Sequence, residues 1–578
     1  MTRKATTTSK AELAQGNLRR QAAPLRRAHH AAARFRKDES GSLIIFSLFI
    51  FVLILMTGGM AVDIMRYESA RTNVQNTIDR AVLAAADLDQ VSDAEAVVDD
   101  YFAKAGLGHL DPQTQDLTDD LTYSTVTTTV DAKVDTIFMK NLGIEYLGAN
   151  SGSVAEERVS EIEIALVLDV SGSMGSNNRL TNMKTAAKDF VDTVFENAED
   201  GTMTVSLVPY STQVNAGAGI MTRLERRNAQ PYLYCATFED DDFTTTTVPP
   251  VGNVLNESII QTSHVDMQTI YKSSENSGRY WNSSKMNCST QAALEILPLA
   301  DDPFVIKPRI ESLSAGGWTS IDLGIKWGVA MLDPSFQSVV TGLIADGAVD
   351  AAHQGKPAKY TGNQAMKVLV VMTDGANTRQ YWLPEELGSG PSNVWINPDN
   401  DRLYVFKNST SCNNDLNRNN CWYSAYNGNY YRTTDLIDAF VSPGDRGGIN
   451  DLSDFQAHSS LNRFGYVDLW HTYTENYIAY LYGKIGVNGW DYYSWDEYMY
   501  NYYDQPKKDA RMKAICDAAK DTGKIVIFTI GFEVSDSDAT VMEYCASSES
   551  HFHRVAGTQL QTAFAEIANK ISQLRLVQ

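Results

Sequence analysis

The sequence predicts an α/β domain built on a doubly wound, mostly parallel sheet, with two long insertions, preceded by a single transmembrane helix and a small α+β stalk. Three observations carry that prediction. Four near-continuous apolar runs, 162–168, 203–210, 366–373 and 524–532, alternate with amphipathic helical patterns, as strands of a parallel sheet covered on both faces do. A stretch without charge, residues 42–62, lies near the amino terminus. Two segments, about 210–305 and 376–505, break the strand–helix rhythm. Structureless loops of that length are uncommon, so each is expected to fold on itself or to form a functional surface.

At 578 residues and 43% hydrophobic composition, the chain is too long for one core and too apolar for disorder. Its net charge of −22 is unevenly spread: residues 1–37 hold ten Lys or Arg against one acid, Glu12, which leaves −31 for the remainder. A body that acidic lacks the clustered cations that neutralise phosphates, so nucleic acid is not an expected partner. The run at 42–62 would reach about 30 Å as a helix, one bilayer core. A cleaved signal peptide, with Gly59-Met60-Ala61 as a small-x-small site, is the alternative; the length of the run and of its leader favours a retained anchor over 38–65. The basic segment 1–37 then stays in the cytoplasm and the rest of the chain lies outside.

Residues 66–160 form the expected stalk. Val74, Ile78, Val82 and Ala85 recur at helical spacing, and the alternating β-branched residues of "LTYSTVTTTVDAKVDTIFM" suggest a hairpin or small sheet. From 161 to 578 the strand–helix pattern takes over. Leu180, Met183, Ala187, Phe190 and Val194 mark a helix after the first strand, and Leu560, Phe564, Ile567, Ile571 and Leu574 mark the last one. The second insertion concentrates tyrosine, ten of the chain's 28 between 473 and 503. Tyr473, Tyr477 and Tyr480 fall on one helical face, which suits a core for the insertion, or else a tyrosine-rich recognition surface. All six cysteines, Cys235, Cys288, Cys412, Cys421, Cys516 and Cys545, lie beyond the anchor, where disulfides persist. Of fifteen possible pairings, sequence proximity favours 235–288, 412–421 and 516–545. His551 and His553 read as an ordinary loop or strand pair. "EDDD", Glu239 to Asp242, reads as a solvated loop in preference to a cation site.

In an open parallel sheet, ligands gather at the carboxyl ends of strands. The first strand runs into "DVSGSMG", which places Asp169, Ser171 and Ser173 on one short loop. A later strand ends in "TDG" at Asp374, and "SAGGWTSID" presents Thr319 before a helix. Thr319 with Asp322 three residues on also has the spacing of a helix cap. Together Asp169, Ser171, Ser173, Thr319 and Asp374 form an all-oxygen set of the kind magnesium accepts, and manganese or calcium as alternatives.

These three loops resemble the metal-ion-dependent adhesion site of von Willebrand factor A domains. The resemblance implies that Ser171 and Ser173 bind the metal directly and that Thr319 and Asp374 do so directly or through water. Asp169 would act through water or hold the serines, and an open position would remain for a carboxylate from a protein partner. The anchor, "DESGSLIIFSLFIFVLILMTGGMAVDIMRYESARTNVQNTIDRAVLAAA", is similar to the membrane segment of bacterial TadE/TadG-like proteins, including Asp63 and the run around Asp79. "IVIFTIGFE", the Cys545 segment and "LRL" also resemble the A-domain part of TadG-like proteins. That family implies a role in assembling or anchoring Flp (tight adherence) pili in the bacterial inner membrane, with a pilus or secretion-machinery component as partner. Phe46, not Glu, stands five residues after Gly41, so prepilin-peptidase cleavage is not expected. An adhesin that uses the tyrosine-rich insertion is the alternative. Catalysis is not expected: the chain shows no Gly-x-Ser-x-Gly around the serines, no phosphate-binding Gly-rich loop with Lys, and no nearby His in sequence.

Overall fold

The computed structural model describes residues 40–576, apart from 88–89, 91, 117–122, 159–160, 197, 199–200, 254–256, 264–278, 281–285 and 362–364. The basic segment 1–37 lies outside the described residues, as does the side chain of Leu574. The chain divides into two units, one within 1–156 and one essentially 157–578.

The first unit begins with a single helix, α1 (Ser40–Ala85), which is both the anchor and the stalk helix of the sequence reading. Its first part is long and apolar enough to cross a membrane, with a mean hydropathy of 2.6, and presents its side chains outward. Further along, Val74, Ile78, Val82 and Ala85 turn inward and pack with Val97, Val98 and Phe102 of α2 (Ala94–Lys104) and with the sheet residues Val126 and Val130. An outward-facing apolar segment of the helix thus gives way to one that packs into a protein core. The strands are β1 (Gln113–Asp116), β2 (Tyr123–Val130), β3 (Lys133–Asp135), β4 (Tyr146–Gly148) and β5 (Ser151–Arg158). Of the hairpin or small sheet expected within 121–139, the small sheet is the one that forms. β2 sits between β1 and β5, and β3 pairs with β4. Alternation reported strand character correctly but carries no information about which strand is the partner.

The second unit is organised by a six-stranded sheet in the order β8-β7-β6-β9-β10-β11. The strands are β6 (Glu161–Asp169), β7 (Met203–Tyr210), β8 (Leu297–Ala300), β9 (Ala365–Thr373), β10 (Ile525–Phe532) and β11 (Phe552–Val555). Five run parallel, and the edge strand β8 is antiparallel to β7. Alternate residues of β6 serve opposite cores: Ile162, Ile164, Leu166 and Leu168 face one, Ala165 and Val167 the other. The first core is closed by α3 (Arg179–Phe195), α4 (Pro303–Glu311) and α8 (Gln559–Leu576); the second by α5 (Ile321–Ala330), α6 (Gln505–Asp521) and α7 (Asp536–Cys545). The first insertion is therefore shorter than its expected 210–305, because β8 and the start of α4 belong to the sheet frame. β8 was hidden because a four-residue edge strand containing Pro298 leaves almost no periodic signal. His553 lies in β11, consistent with a strand pair.

Helix α5 rides close on the sheet. A Cβ on Gly324 would lie 2.7 Å from the Tyr210 ring, and one on Gly328 would lie 2.5 Å from Val167 and 2.6 Å from Leu369. Two glycines one turn apart let the helix backbone sit where a side chain would otherwise be.

The second insertion folds on itself. Its five antiparallel strands follow the order Tyr430–Tyr431, Trp422–Ser424, Arg402–Phe406, Pro391–Asn397, Asn462–Gly465. Tyr473, Tyr477 and Tyr482 are buried with Trp470 and Trp495 against one face of that sheet. Tyr473 precedes the Glu475–Ile485 helix, whose cap is Thr474, so the tyrosine stripe is shorter than its spacing suggests. The cysteines pair as 235–288, 412–421 and 516–545.

Candidate functional site

Because β6, β9 and β10 are parallel neighbours, they end on one edge of the sheet, and each hands over to an acid. Asp169 closes β6, Asp374 follows β9 and Glu533 follows β10. Oxygen ligands from segments more than 150 residues apart in sequence thus share a rim.

The loop after β6 is held by its own first residue. Asp169 Oδ1 accepts the Ser171 N–H at 2.7 Å, which turns the chain; Ser171 is buried and Ser173 exposed. The other oxygen, Oδ2, accepts Thr373 Oγ1 at 2.8 Å and the Tyr210 hydroxyl at 3.4 Å. Asp169 is fully buried. Burial first, and the charge of Asp374 second, push its carboxyl up to about 6. Burial likewise raises the Tyr210 hydroxyl.

Ser171 Oγ lies 3.0 Å from Ser173 Oγ, and Ser173 Oγ donates to Asp374 Oδ1 at 2.7 Å. The remaining Asp374 oxygen accepts Arg179 Nη1 at 2.9 Å, and Arg179 Nε donates to Glu533 Oε2 at 2.9 Å. Hydrogen bonds to Glu533 and Asp374 keep the guanidinium raised against its own partial burial. Glu533 adopts a φ of 58°, a left-handed conformation that a non-glycine residue holds only when its surroundings demand it.

Thr319 reaches the rim through its loop. Gly172 N–H donates to Gly317 O at 2.9 Å, and Gly316 N–H donates to Val170 O at 2.9 Å, so the two loops are stitched backbone to backbone. A Cβ on Gly172 would sit 3.0 Å from Gly317 O. The N–H of Thr319 donates to Thr378 Oγ1 at 2.8 Å, and its carbonyl accepts the buried ammonium of Lys508 at 2.8 Å. Lys508 also donates to Ser320 Oγ and to Thr378 O. Burial lowers it to about 8, opposed by Asp322, which lies 3.8 Å away. The helix-cap reading of Thr319 and Asp322 is corrected: Ser320 precedes α5, and Asp322 is a buried partner of Lys508.

The structure therefore joins Asp169, Ser171, Ser173 and Asp374 by hydrogen bonds and brings Thr319 beside them on a fixed loop. The donor set is carboxylate and hydroxyl oxygen, without imidazole or thiol, which suits a hard cation. Among the described residues no cluster of three or more His, Cys, Asp or Glu stands ready to hold a metal, so a cation here would depend on the hydroxyls. "EDDD" is exposed at Glu239, Asp240 and Asp241, as a solvated loop is, and the charges of Glu239 and Asp240 are paired. Asp240 pairs with Lys507 and Arg511 of α6, and Glu239 pairs with Arg227 at 3.0 Å.

Arg179, Glu533 and Lys508 were not anticipated. Two signals for them exist in the sequence. Arg179 opens a helix, where a cation opposes the helix dipole, and Glu533 follows an apolar strand as the other two acids do. Lys508 has no local signal.

Residues 41–88 match the model of the Flp pilus-assembly TadE/G-like family. Over this segment the chain is similar to that family. The match covers the apolar part of α1 and its extension. No curated protein matches the chain. Among solved structures, it resembles the pilus adhesin SpaC from Lactobacillus rhamnosus GG at 14% identity and a TM-score of 0.28, over 80% of this chain and 34% of that one. It spans about a third of that adhesin's length. The von Willebrand factor domain of a type V pilus tip protein from Porphyromonas gingivalis matches at 13% identity and a TM-score of 0.29, over 72% of this chain and 97% of that one. An adhesive tip pilin from Group B Streptococcus agalactiae matches at 12% identity and a TM-score of 0.29, over 71% and 100%. At such scores these likenesses support no statement about what this chain binds.

Proposed function

We propose that this TadE/G-like chain is a single-pass inner-membrane protein whose external A domain binds a protein partner through a divalent cation, in assembly or anchoring of Flp pili. The sheet of that domain is the doubly wound, mostly parallel type. The observation that carries the proposal is the hydrogen-bonded line Ser171–Ser173–Asp374 over a buried Asp169 at the carboxyl ends of β6 and β9.

Asp169, Ser171, Ser173, Thr319 and Asp374 would hold the cation, with magnesium the first candidate and manganese or calcium as alternatives. The cation would supply a positive charge with room for one more oxygen, the carboxylate of the partner. The protein's own part is to keep the five oxygens in place. Asp169 orients the serine loop through the Ser171 N–H, Lys508 fixes the Thr319 loop, and Arg179 sets the direction of the Asp374 carboxylate. The serine hydroxyls and the Asp374 carboxylate are the oxygens assigned to the cation, so the reading is one of binding, not turnover.

Calorimetric titration of magnesium, manganese and calcium into the detergent-solubilised full chain tests the site. Binding in wild type that is lost in both Asp169→Ala and Asp374→Ala is the expected result. Equal binding in the variants, or none in wild type, would refute the metal-dependent version. The adhesin alternative loses part of its sequence support because Tyr473, Tyr477 and Tyr482 are core; it rests on exposed residues such as Tyr426 and Tyr493.

A further inference from the structure

The loop between β3 and β4, residues 136–145, is the most apolar exposed surface of the first unit outside α1. Ile137, Phe138, Leu142, Ile144 and the adjoining Tyr146 are 37% to 57% exposed. In water such a cluster is unfavourable, and a solvated turn would not be built from it.

Its position is set by α1. Asp63, one residue past the apolar run, is buried and accepts three consecutive backbone N–H groups: Ile137 at 2.9 Å, Phe138 at 2.7 Å and Met139 at 2.8 Å. Such charge-assisted bonds offset the cost of taking the carboxylate out of water and fix the loop to the helix. The Phe138 ring lies on Gly59: a Cβ there would be 2.4 Å from it. Gly59 is one turn before Asp63, about 6 Å back along the helix axis, inside the last turn of the apolar run. The loop closes on itself through Thr136, which donates from its hydroxyl to Ile144 O and from its N–H to Glu145 O.

We infer that loop 136–145 inserts into the lipid interface beside α1 and acts as a second, shallow membrane anchor. The inference rests on the reading that α1 spans the membrane. If it does, Phe138 sits at the depth of Gly59, and the neighbouring apolar side chains continue the lipid-facing surface formed by Val62, Ile64 and Met65. The loop carries one lysine, Lys140, and one acid, Glu145, so its attraction to the bilayer is hydrophobic and not directed at anionic headgroups. Tyr146, with Lys133 4.9 Å from its ring centre, stands at the loop base as the kind of aromatic and basic pair found at membrane interfaces. Two points of contact would hold the first unit in one orientation on the membrane, where a lone helix would leave it free to swivel.

Full-length chain in vesicles of neutral phosphatidylcholine decides the matter. Single cysteines at Leu142→Cys, Ile144→Cys, Val154→Cys and Ile54→Cys would each be labelled with an environment-sensitive fluorophore, leaving the disulfides intact. Spin-labelled lipids with the quencher shallow or deep in the acyl chain then report depth. Ile54 should be quenched by the deep label. Positions 142 and 144 should be quenched by the shallow label several-fold more than Val154, a more exposed apolar residue on β5. Quenching at 54 with 142 and 144 no different from 154 would overturn the loop inference alone, and would leave a protein partner as its cover. Loss of quenching at 54 would overturn the spanning reading and the loop with it.

Discussion

Arg179 reaches Asp374 across 195 residues of sequence, Nη1 to Oδ2 at 2.9 Å, and the same guanidinium holds Glu533. One cation thus already stands against the carboxylate expected to bind another. The arrangement fixes the Asp374 carboxylate and leaves Oδ1 to Ser173, and it also repels an incoming metal.

Removing that charge while keeping a donor separates the two effects. Arg179→Gln is expected to tighten divalent cation binding about tenfold, a gain of about 1.4 kcal/mol, because a fixed positive charge near the site is lost. Calorimetric titration against wild type reads the change; weaker binding would mean that orientation of Asp374 outweighs repulsion.

The Asp169 carboxyl, raised from an ordinary value near 3.8 to about 6 in the folded chain, predicts a pH dependence for the metal-free protein. The folded state binds this proton more tightly than the unfolded state. Stability from this group is therefore fully present below about pH 4 and falls as pH rises to about 6, by about 1.4 kcal/mol per unit across that window. Denaturation with a chelator present at pH 4 and pH 7 should show a larger acid-side advantage in wild type than in Asp169→Asn. A saturating cation, which requires the deprotonated acid, should reverse the trend in wild type.

Gly328→Ala places a methyl into Val167 and Leu369. We expect a loss of about 1–3 kcal/mol in stability and weaker cation binding as well, since α5 carries the Thr319 loop at its start. Titration and denaturant unfolding on the same preparation test whether the two move together.

Tyr482 is fully buried, meets the Trp495 ring edge-on at 5.0 Å and accepts the Asn393 N–H at 3.2 Å. Tyr482→Ala should cost about 3–5 kcal/mol in the insertion, whereas Tyr493→Ala, at an exposed position, should stay within about 0.5 kcal/mol. A destabilised insertion with unchanged cation affinity would show that the tyrosine-rich core serves its own fold.

Much of this was legible in the sequence. The parallel strands announced themselves because burial on both faces makes them continuously apolar, and Asp169, Ser171, Ser173 and Asp374 were visible because strand ends and their oxygens are adjacent in the chain. The antiparallel β8 was not, being short and at an edge. Nor was the pairing of β2 with β1 and β5, since alternation has no address. Helical spacing also overstated the tyrosine stripe, because Tyr473 shares a face with Tyr477 on paper but lies before the Thr474 cap.

Side-chain periodicity and short spacings in the sequence were enough for the parallel strands, their order, the membrane-length helix and the chemistry of the candidate ligands. Tertiary structure alone decided that Arg179 and Glu533 share Asp374, that Lys508 holds the Thr319 loop, and that Asp63 pins an apolar loop back onto its own helix. Those relationships join groups 75 to 354 residues apart. They arise only when sheet order and helix packing bring the chain back on itself, and no local pattern encodes them.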